Sequence, residues 1–486
     1  MLNHHPVVII GAGPAGLTSA YELTKREIHP YVLEAADKVG GISRTEVYKG
    51  YRFDIGGHRF FTKVEVVNKL WDEVLGDEFI QVPRMSRIYY KNKFYDYPLS
   101  ISNTLLNLGI IESFLILLSY IKARVKGKLQ PDIEAETFEE WVTDSFGSRL
   151  YRTFFKTYTE KVWGIPCNKI EAEWAAQRIK GLSLKKAVIN ALFGSNDTKT
   201  LIKEFNYPIY GPGMMWERFQ QKVNENGGQV DLNTRVISVK REGFHVKEIT
   251  AFKDGEKISI TGDNFISTMP VTALVNRLDP LPPEEVLQAA KSLSYRDFLI
   301  VALIIDNPNL FPDNWIYIHS PEVKVGRIQN FKNWSPAMVP DATKTCLGME
   351  YFCNEGDKTW ELSDTELLEL ATKEIEQLGL AKASQIEDGT IIRQPKAYPV
   401  YDRDYRRHLQ VIQDYLSKFD NLQTIGRNGM HRYNNQDHSM LTGFLAAQNI
   451  LGDNHDLWDI NTERSYHEEF TKEEWKERQK PELAVK

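Results

Sequence analysis

The stretch PVVIIGAGPAGLTSAYELTKREIHPYVLE, residues 6–34, carries the pattern that decides the fold. VVII has the composition of a buried parallel strand. Gly11, Gly13 and Gly16 then form G-x-G-x-x-G at the start of a helix, whose N-terminal N–H groups and dipole attract a phosphate. A second strand ends on Glu34, where a carboxylate accepts hydrogen bonds from ribose hydroxyls. The stretch therefore predicts a dinucleotide-binding βαβ unit, and the acidic Glu34 disfavours the 2′-phosphate of NADP.

Two glycine-rich segments follow. VGGISRT contains Gly41 and Arg44, and YRFDIGGHRFF contains Gly56 and Gly57. Paired glycines let a loop run against a flat ligand, and an arginine can neutralise a pyrophosphate, although a pair of simple turns would have the same composition. In combination, the segments resemble the FAD-binding opening shared by amine oxidases, protoporphyrinogen oxidases and UDP-galactopyranose mutases. The resemblance implies that FAD is the dinucleotide.

Composition limits the other classes of function. The 486 residues are 42% hydrophobic and 26% charged, with a net charge of −6, which disfavours a general nucleic-acid-binding protein. Cys167, Cys346 and Cys353 show no CxxC pairing and no metal-ligand spacing with histidine, so we expect no metal site and a cytoplasmic location. The opening MLNHHPVVII lacks the pattern of a signal peptide, and none is expected.

The periodicity along the chain predicts an α/β protein with an inserted helical domain and a mixed β-sheet domain. We assign residues 1–63, 206–270 and 418–453 to a Rossmann-type FAD-binding domain, and residues 64–205 to the helical domain. The mixed-sheet substrate domain spans residues 271–417, and residues 454–486 form a charged C-terminal tail. Asp254-Gly255 and Gly262-Asp263 are predicted turns of a β-meander that returns to the first domain.

One apolar segment, TLLNLGIIESFLILLSYIKARVKGK from Thr104, needs a separate interpretation. Asn107 and Glu112 interrupt it, so no apolar run reaches the ~18 residues that a membrane span requires. We expect a buried or amphipathic helix. A monotopic membrane contact is the less favoured alternative, supported by the basic residues Lys122, Arg124, Lys126 and Lys128.

Six short segments between Gly11 and Ser439 resemble UDP-galactopyranose mutase, especially its eukaryotic-type branch. In GGHRFF, the resemblance places His58 near the flavin N5 atom. In EKVWGIPCNKIEAEWAAQRI, it implies that Arg178 faces the substrate diphosphate and the flavin. His58, Arg178 and Arg327 are therefore the predicted catalytic residues.

The resemblance also implies a binding site for a nucleotide-diphosphate sugar. NWIYIHSPEVKVGRIQNF supplies Trp315, Tyr317 and Arg327, whose planar guanidinium suits two phosphate oxygens. Tyr398, followed by a proline, and Tyr433 match two tyrosines that contact the diphosphate. The remaining match is Tyr97, at the position of a tyrosine near the uracil. Departures from the family at Ser100 and Thr159 both fall on base recognition, so the base stays unassigned.

The segment GRNGMHRYNNQDHSMLTG from residue 426 is the most specific motif. By the resemblance, it lines the space between flavin and diphosphate, and its cofactor-binding residues are Gly426, Arg427, Gln436, Asp437, His438 and Ser439.

The resemblance implies an FAD-dependent isomerase that interconverts pyranose and furanose sugars through an adduct at N5 of the reduced flavin, with no net redox change. NAD(P)H is a candidate reductant of the flavin. Its binding is expected to be transient, because the sequence has no second G-x-G-x-x-G for a dedicated nicotinamide domain. The main alternative is an FAD-dependent oxidoreductase of the amine oxidase, protoporphyrinogen oxidase or desaturase type. A flavin-binding protein with a structural role in glycan assembly is a third class.

Overall fold

The computed structural model describes residues 3–97, 101–129, 135–172, 200–201, 203–461 and 469–470. Its first sheet is built around the predicted βαβ unit, because the strand Asn3–Ile10 pairs in parallel with both Tyr31–Leu33 and the end of Glu256–Ser267. The strands of this sheet are, in spatial order, Gln229–Asp231, Tyr31–Leu33, Asn3–Ile10, Glu256–Ser267, His245–Lys253, Thr234–Glu242 and Leu278–Asp279, with Leu422–Thr424 beside Glu256–Ser267.

Helices cover both faces of the first sheet, which confirms the predicted α/β class. One face carries Pro14–Thr24, Gly213–Glu225 and Gln436–Ile450, and the other carries Val271–Val275, Glu284–Ser292 and Tyr405–Leu416. The first and last helices of the former group pack closely, because a Cβ atom at Gly443 would lie 2.2 Å from the carbonyl oxygen of Ala15. This contact holds the two chain segments that sequence analysis assigned to the cofactor against each other.

The β-meander differs from its prediction at one turn. Asp254 and Gly255 form the expected turn, with φ of +49° and +87°, between His245–Lys253 and Glu256–Ser267. The second predicted turn, at Gly262-Asp263, is wrong, because the strand continues through it while exchanging an antiparallel neighbour for a parallel one. Glycine at position 262 instead allows two neighbouring strands to approach closely, since a Cβ atom there would lie 2.9 Å from Cγ2 of Val8.

The second sheet is mixed, as predicted, but it draws two strands from the segment 64–205. Its order is Ile386–Pro399, Tyr295–Ile305, Thr345–Cys353, Arg327–Asn330, Trp315–Ile318, Ser86–Tyr90 and Lys93–Asp96. Ser86–Tyr90 lies parallel to Trp315–Ile318, whereas the other pairs of the sheet are antiparallel. The segment 64–205 is therefore not purely helical, and the helix Asp364–Gln377 packs on the outer face of this sheet.

The helix Glu65–Leu75 packs on the helices Gly213–Glu225 and Gln436–Ile450 of the first sheet. The other described helices of the segment 64–205 lie beside the second sheet. They are Ile101–Leu108, Ile110–Leu129, Phe138–Phe146, Ser148–Leu150 and Thr157–Trp163, with a π-helical turn at Tyr151–Lys156. Phe79–Pro83 pairs with Glu204–Pro208, and Thr45–Tyr48 pairs with Tyr51–Asp54. A two-residue pairing joins Thr200–Leu201 to Glu469–Phe470 of the C-terminal tail. Within the described ranges, no helix combines the length and the apolar character needed to cross a bilayer.

Candidate active site

A cavity of about 1300 Å³ runs between the two sheets. At one end it is lined by Glu34, at the end of the second parallel strand, and at the other by Tyr97 and Tyr317, on or next to the second sheet. The G-x-G-x-x-G segment and the segment 426–439 lie along its length. Most of the predicted site residues thus share one cavity, although they come from distant parts of the chain.

The Glu34 end of the cavity has the shape of a phosphate cradle. Gly11 adopts a φ of +99°, and a Cβ atom there would lie 2.0 Å from Oγ1 of Thr268, so only glycine fits. The helix Pro14–Thr24 begins at the cavity with no acidic side chain in its first turn. A Cβ atom on Gly41 would lie 3.5 Å from Cα of Gly13, so the two glycine backbones face each other at close range. These residues fit the adenosine and pyrophosphate part of a flavin dinucleotide.

The Glu34 carboxylate accepts hydrogen bonds from the backbone N–H groups of Ala12 and Ala36 at 2.7 and 2.9 Å. Burial raises the pKa of Glu34, and these N–H donors oppose the increase. The carboxylate is therefore fixed beside the glycine segment. Arg44 is less available than predicted, because its Nε atom lies 2.6 Å from Oε1 of Glu46 while its Nη1 atom donates to Gln394.

The segment 426–439 turns around the side chain of Arg427. Gly426 adopts a φ of +82° beside Ala15, and its carbonyl oxygen accepts from Nδ2 of Asn434 at 3.1 Å. Arg427 donates to the carbonyl oxygens of Asn434 and Ala397 at 2.9 and 3.1 Å. The structure places the predicted residues Gln436, Asp437 and Ser439, at the start of the last helix, in the cavity wall.

His438 differs from these neighbours, because it is buried and is not part of the cavity wall. Its Nδ1 atom accepts from the backbone N–H of Asn435 at 3.3 Å, as part of the cap of the helix Gln436–Ile450. The same Nδ1 atom lies 3.4 Å from Oδ1 of Asp437, which lines the cavity.

His58 lies where the glycine pair Gly56-Gly57 meets Arg327. A Cβ atom on Gly56 would lie 3.6 Å from Nη2 of Arg327 and 3.9 Å from Nε2 of His58. The Nε2 atom of His58 lies 2.9 Å from the carbonyl oxygen of Ile55, to which it donates. Burial, together with the charges of Arg427 and Arg327, lowers the pKa of His58 to about 4. The imidazole is therefore neutral at physiological pH.

Arg327 is held by a buried carboxylate. Its Nε atom donates to Oε2 of Glu350 at 2.6 Å, and Nε2 of Gln329 donates to the other oxygen of Glu350 at 2.8 Å. Burial opposes the charge on Arg327, but the surrounding groups, Glu350 foremost among them, together raise the pKa of the guanidinium, which stays protonated. Arg327 lines the cavity and its guanidinium is fixed by Glu350, so Arg327 is a rigid donor.

Aromatic side chains form the walls around Arg327. Tyr398 and Tyr433 stack with ring centroids 5.6 Å apart, and the guanidinium of Arg427 lies 4.7 Å from the ring centroid of Tyr433. Tyr317 contacts Tyr97 across the cavity, at 5.0 Å between ring centroids. The predicted tyrosines of the diphosphate site are thus brought together with the two arginines.

Sequence analysis missed Tyr158 and His319. Their rings stack at 4.8 Å and 5° in the cavity wall, and burial raises the pKa of Tyr158 while it lowers the pKa of His319 to about 3. Lys161 donates to the carbonyl oxygen of Ser320 at 2.7 Å and so ties the helix Thr157–Trp163 to the loop of His319. One signal in the sequence could have indicated Tyr158. It lies one helical turn before Val162, which places the two side chains on one face of the helix, and both line the cavity.

Two of the predicted substrate-binding residues are not placed in the cavity. Trp315 is buried in the core, where its ring lies 5.4 Å from that of Trp334, and it supports Tyr317 from behind instead of lining the cavity. Arg178 lies outside the described residues, as do the positions 98–100 that carry the departure at Ser100.

Comparisons with known proteins support a flavoprotein. The chain is 26% identical over 309 residues to L-amino acid oxidases of Crotalus durissus terrificus and Crotalus adamanteus, over 60% of this chain and 56% of theirs. It is 27% identical over 183 residues to a probable UDP-galactopyranose mutase of Klebsiella pneumoniae, over 35% of this chain and 44% of that protein. The chain thus spans little more than half the length of these oxidases.

Solved structures share the fold over nearly the whole chain. A reduced UDP-galactopyranose mutase superposes with a TM-score of 0.81 at 22% identity, covering 94% of this chain and 98% of the other. A putative protoporphyrinogen oxidase from Exiguobacterium sp. gives a TM-score of 0.68 at 16% identity, covering 93% and 100%. The predicted resemblance to a mutase-like flavoprotein is confirmed.

A sequence model of one family, described as flavin containing amine oxidoreductase, matches residues 14–451. This range begins directly after Gly11 and Gly13, and it includes the helix Pro14–Thr24 and the segment 426–439. The chain therefore belongs to the flavin containing amine oxidoreductase family, whose members bind a flavin.

Proposed function

We propose that the protein is an FAD-dependent nucleotide-sugar mutase that interconverts the pyranose and furanose forms of a sugar attached to a nucleoside diphosphate. One observation carries the proposal. The guanidinium of Arg327 shares a cavity wall with the phenols of Tyr317, Tyr398 and Tyr433, next to His58 of the glycine pair. Such a set of donors is suited to a diphosphate.

In this proposal, Arg327 binds two phosphate oxygens with its planar fork, while Glu350 keeps the fork in one orientation. The hydroxyl groups of Tyr398 and Tyr433 donate to the same diphosphate. These donors are in place before the reaction, so they stabilise the negative charge that develops as the diphosphate leaves the sugar. Arg427 adds a positive charge behind Tyr433.

FAD is the cofactor that the cradle fits. We propose that Gly11, Gly13, Gly16 and Glu34 hold its adenosine and pyrophosphate part, and that Gly426 and Arg427 lie along the remainder. When bound and reduced, the flavin supplies the nucleophile for displacement at the anomeric carbon. His58 provides an uncharged wall near the ring system, since its pKa is lowered to about 4.

A second candidate is an FAD-dependent oxidoreductase, favoured by the L-amino acid oxidases among the relatives. An arginine can bind the carboxylate of an amino acid as well as a phosphate. The mutase is preferred because the cavity has two arginines and the phenols of Tyr398 and Tyr433 close together. A diphosphate can accept from several of these donors, whereas the single carboxylate of an amino acid needs only one arginine. NAD(P)H as transient reductant and a cytoplasmic location belong to the proposal, the latter supported by three buried free thiols.

The experiment compares the two reactions on one preparation. The flavin-loaded protein is reduced with dithionite and given UDP-galactopyranose and other nucleoside-diphosphate sugars, and furanose products are separated by chromatography. The oxidised protein is given L-amino acids with an oxygen electrode. Exchange without oxygen uptake supports the mutase. Oxygen uptake with amino acids, and no exchange with any nucleotide sugar, refutes it.

A further inference from the structure

The helix Ile110–Leu129 presents an apolar face to solvent. Ile110, Phe114, Leu117, Ile121 and Val125 recur at helical spacing and are 90%, 59%, 42%, 49% and 52% exposed. Residues Leu106, Ile111 and Leu118 extend the same surface, which we call the apolar face. No residue in the described part of the chain covers it.

The apolar face is not a loosely packed part of the core, because the helix has a separate buried side. Ile116 and Ala123 are buried, and the helix packs tightly on its neighbour, since a Cβ atom at Gly147 would lie 2.8 Å from Ser119. The helix is therefore anchored through one side and exposes large apolar side chains on the other. A continuous exposed surface of this kind marks an interaction site.

Basic residues flank the apolar face at both ends. Lys122 and Arg124 are exposed near the end of the helix, and neither forms an ion pair with a described residue. Lys91 and Lys93 lie near its start, where Nζ of Lys93 donates to the carbonyl oxygen of Asn107 at 2.6 Å. Between residues 87 and 129 the sequence has seven basic and two acidic residues, although the whole chain has a net charge of −6.

The acidic residue next to the apolar face is already neutralised. Glu112 accepts from Nε and Nη2 of Arg149 at 2.7 and 2.8 Å. Arg149 lowers the pKa of Glu112, and Lys91 contributes to the same effect. The surface around the apolar face is thus positive at both ends, and the carboxylate on the helix itself, that of Glu112, is paired.

We propose that the apolar face docks on an anionic lipid surface, with the helix Ile110–Leu129 lying in the plane of the interface. The apolar side chains enter the boundary between headgroups and acyl chains, and the flanking cations contact the headgroups. This arrangement requires no membrane span, in agreement with the absence of a spanning helix among the described residues. It is independent of the reaction in the cavity.

The distribution of charge favours this surface over a second copy of the chain. In a symmetric dimer through the apolar face, the basic ends of one helix would meet basic ends of the other, whether the helices ran parallel or antiparallel. Like charges brought together in this way oppose association. An anionic surface gains from the same cations, and it needs no complementary shape.

Vesicle flotation of the full flavin-loaded protein tests the proposal. The vesicles contain phosphatidylcholine with one third phosphatidylglycerol, or phosphatidylcholine alone. We expect flotation with the anionic vesicles at about 0.1 M salt and release at about 1 M salt, where screening is far stronger. Equal flotation with both vesicle types would contradict the role of the cations.

Matched variants test the apolar face itself. Phe114→Ser should weaken anionic-vesicle binding by at least about tenfold. The control Leu281→Ser removes a side chain that is also 59% exposed, but lies on a different surface, and should bind as the wild type does. Both positions are exposed, so unchanged thermal unfolding and flavin content will show that the variants are folded.

Charge variants complete the test. Lys122→Gln and Arg124→Gln should each weaken binding by roughly fivefold, whereas the exposed control Lys257→Gln should have no effect. Sedimentation of the protein alone tests the alternative occupant of the apolar face, a second copy of the chain. A dimer that Phe114→Ser dissociates, or a monomer that floats with neither vesicle type, overturns the proposal. Neither result affects the sugar-exchange experiment.

Discussion

The ion pair between Arg327 and Glu350 allows the role of Arg327 in binding to be separated from its role in stability. Replacing arginine by methionine removes the charge but retains much of the side-chain volume. In Arg327→Met, the carboxylate of Glu350 stays fully buried and keeps only the hydrogen bond from Gln329 at 2.8 Å. The variant should therefore lose both stability and activity, for different reasons.

The expected loss of stability is large. Removing one partner of a buried ion pair costs about 3–5 kcal/mol, because the other charge is left uncompensated. Burial already raises the pKa of Glu350, and loss of Arg327 raises it further. The folded state then binds a proton more readily than the unfolded state, so the deficit in free energy of unfolding should shrink as the pH falls towards the normal glutamate pKa of 4.5.

The double variant Arg327→Met/Glu350→Gln removes both charges, and it should recover most of the lost stability. Its sugar exchange should stay about 10²- to 10³-fold below that of the wild type, because a donor to the developing charge is still missing. Urea unfolding at several pH values measures stability. Chromatography of the exchange products, normalised to bound flavin, measures activity.

A second arginine–carboxylate pair provides the control. Arg87 contacts the fully buried Asp313 at 2.6 Å, and neither residue lines the cavity. Arg87→Met should lose stability but exchange sugar normally per folded molecule. If Arg327→Met/Glu350→Gln exchanged sugar at the wild-type rate, Arg327 would have only a structural role. An unchanged free energy of unfolding in the single variant would refute the argument from burial.

Three further experiments test the rest of the site. Tyr398→Phe and Tyr433→Phe keep the ring stack and remove one hydroxyl group each, so exchange should fall by roughly 10- to 100-fold with unfolding unchanged; equal rates would exclude a diphosphate contact. Gly11→Ala should abolish flavin retention through its 2.0 Å clash, whereas Gly255→Ala, at a similar φ of +87° but in open space, should retain flavin in the absorbance spectrum. The imidazole NMR signal of His58, assigned with His58→Gln, should keep its neutral position well below pH 6.5, because its folded pKa is about 4. Only the unfolded state gains this proton between the two values, so His58 makes the protein less stable as the pH falls, and a midpoint near 6.5 would contradict this.

The cofactor half of the molecule was largely predictable because its signals are local. The spacing of Gly11, Gly13 and Gly16, the strand before them and the carboxylate of Glu34 all lie within one continuous stretch. Such a pattern has one compact solution, in which the glycines meet backbone at close range. Gly262 shows the limit of this reasoning, since the same residue type that marks a turn also permits the close approach of two strands.

The substrate half was less predictable because its contacts join distant segments. Nothing near Glu350 in the sequence indicates that its carboxylate is the partner of Arg327. The two residues lie opposite each other on neighbouring antiparallel strands of the second sheet. The residues 86–96 were assigned to a helical region, although their pairing partner is the strand at 315–318. Trp315 was placed in the site by its motif. Trp315 and Tyr317 share one face of their strand, but Phe205 and Trp334 pack against Trp315, whereas Tyr317 lines the cavity.

Fold and family leave the choice between isomerase and oxidase open, and the charges in the cavity bear on it. The positive charge of Arg327 is offset by Glu350, so this residue contributes geometry more than net charge. Arg427 donates to two backbone carbonyl oxygens and has no carboxylate partner among the described residues, so its charge remains within the cavity. A diphosphate brings negative charge that benefits from Arg427, whereas a zwitterionic amino acid brings as much positive charge as negative. The electrostatics of Arg427, together with the orientation of Arg327, therefore favour the nucleotide sugar.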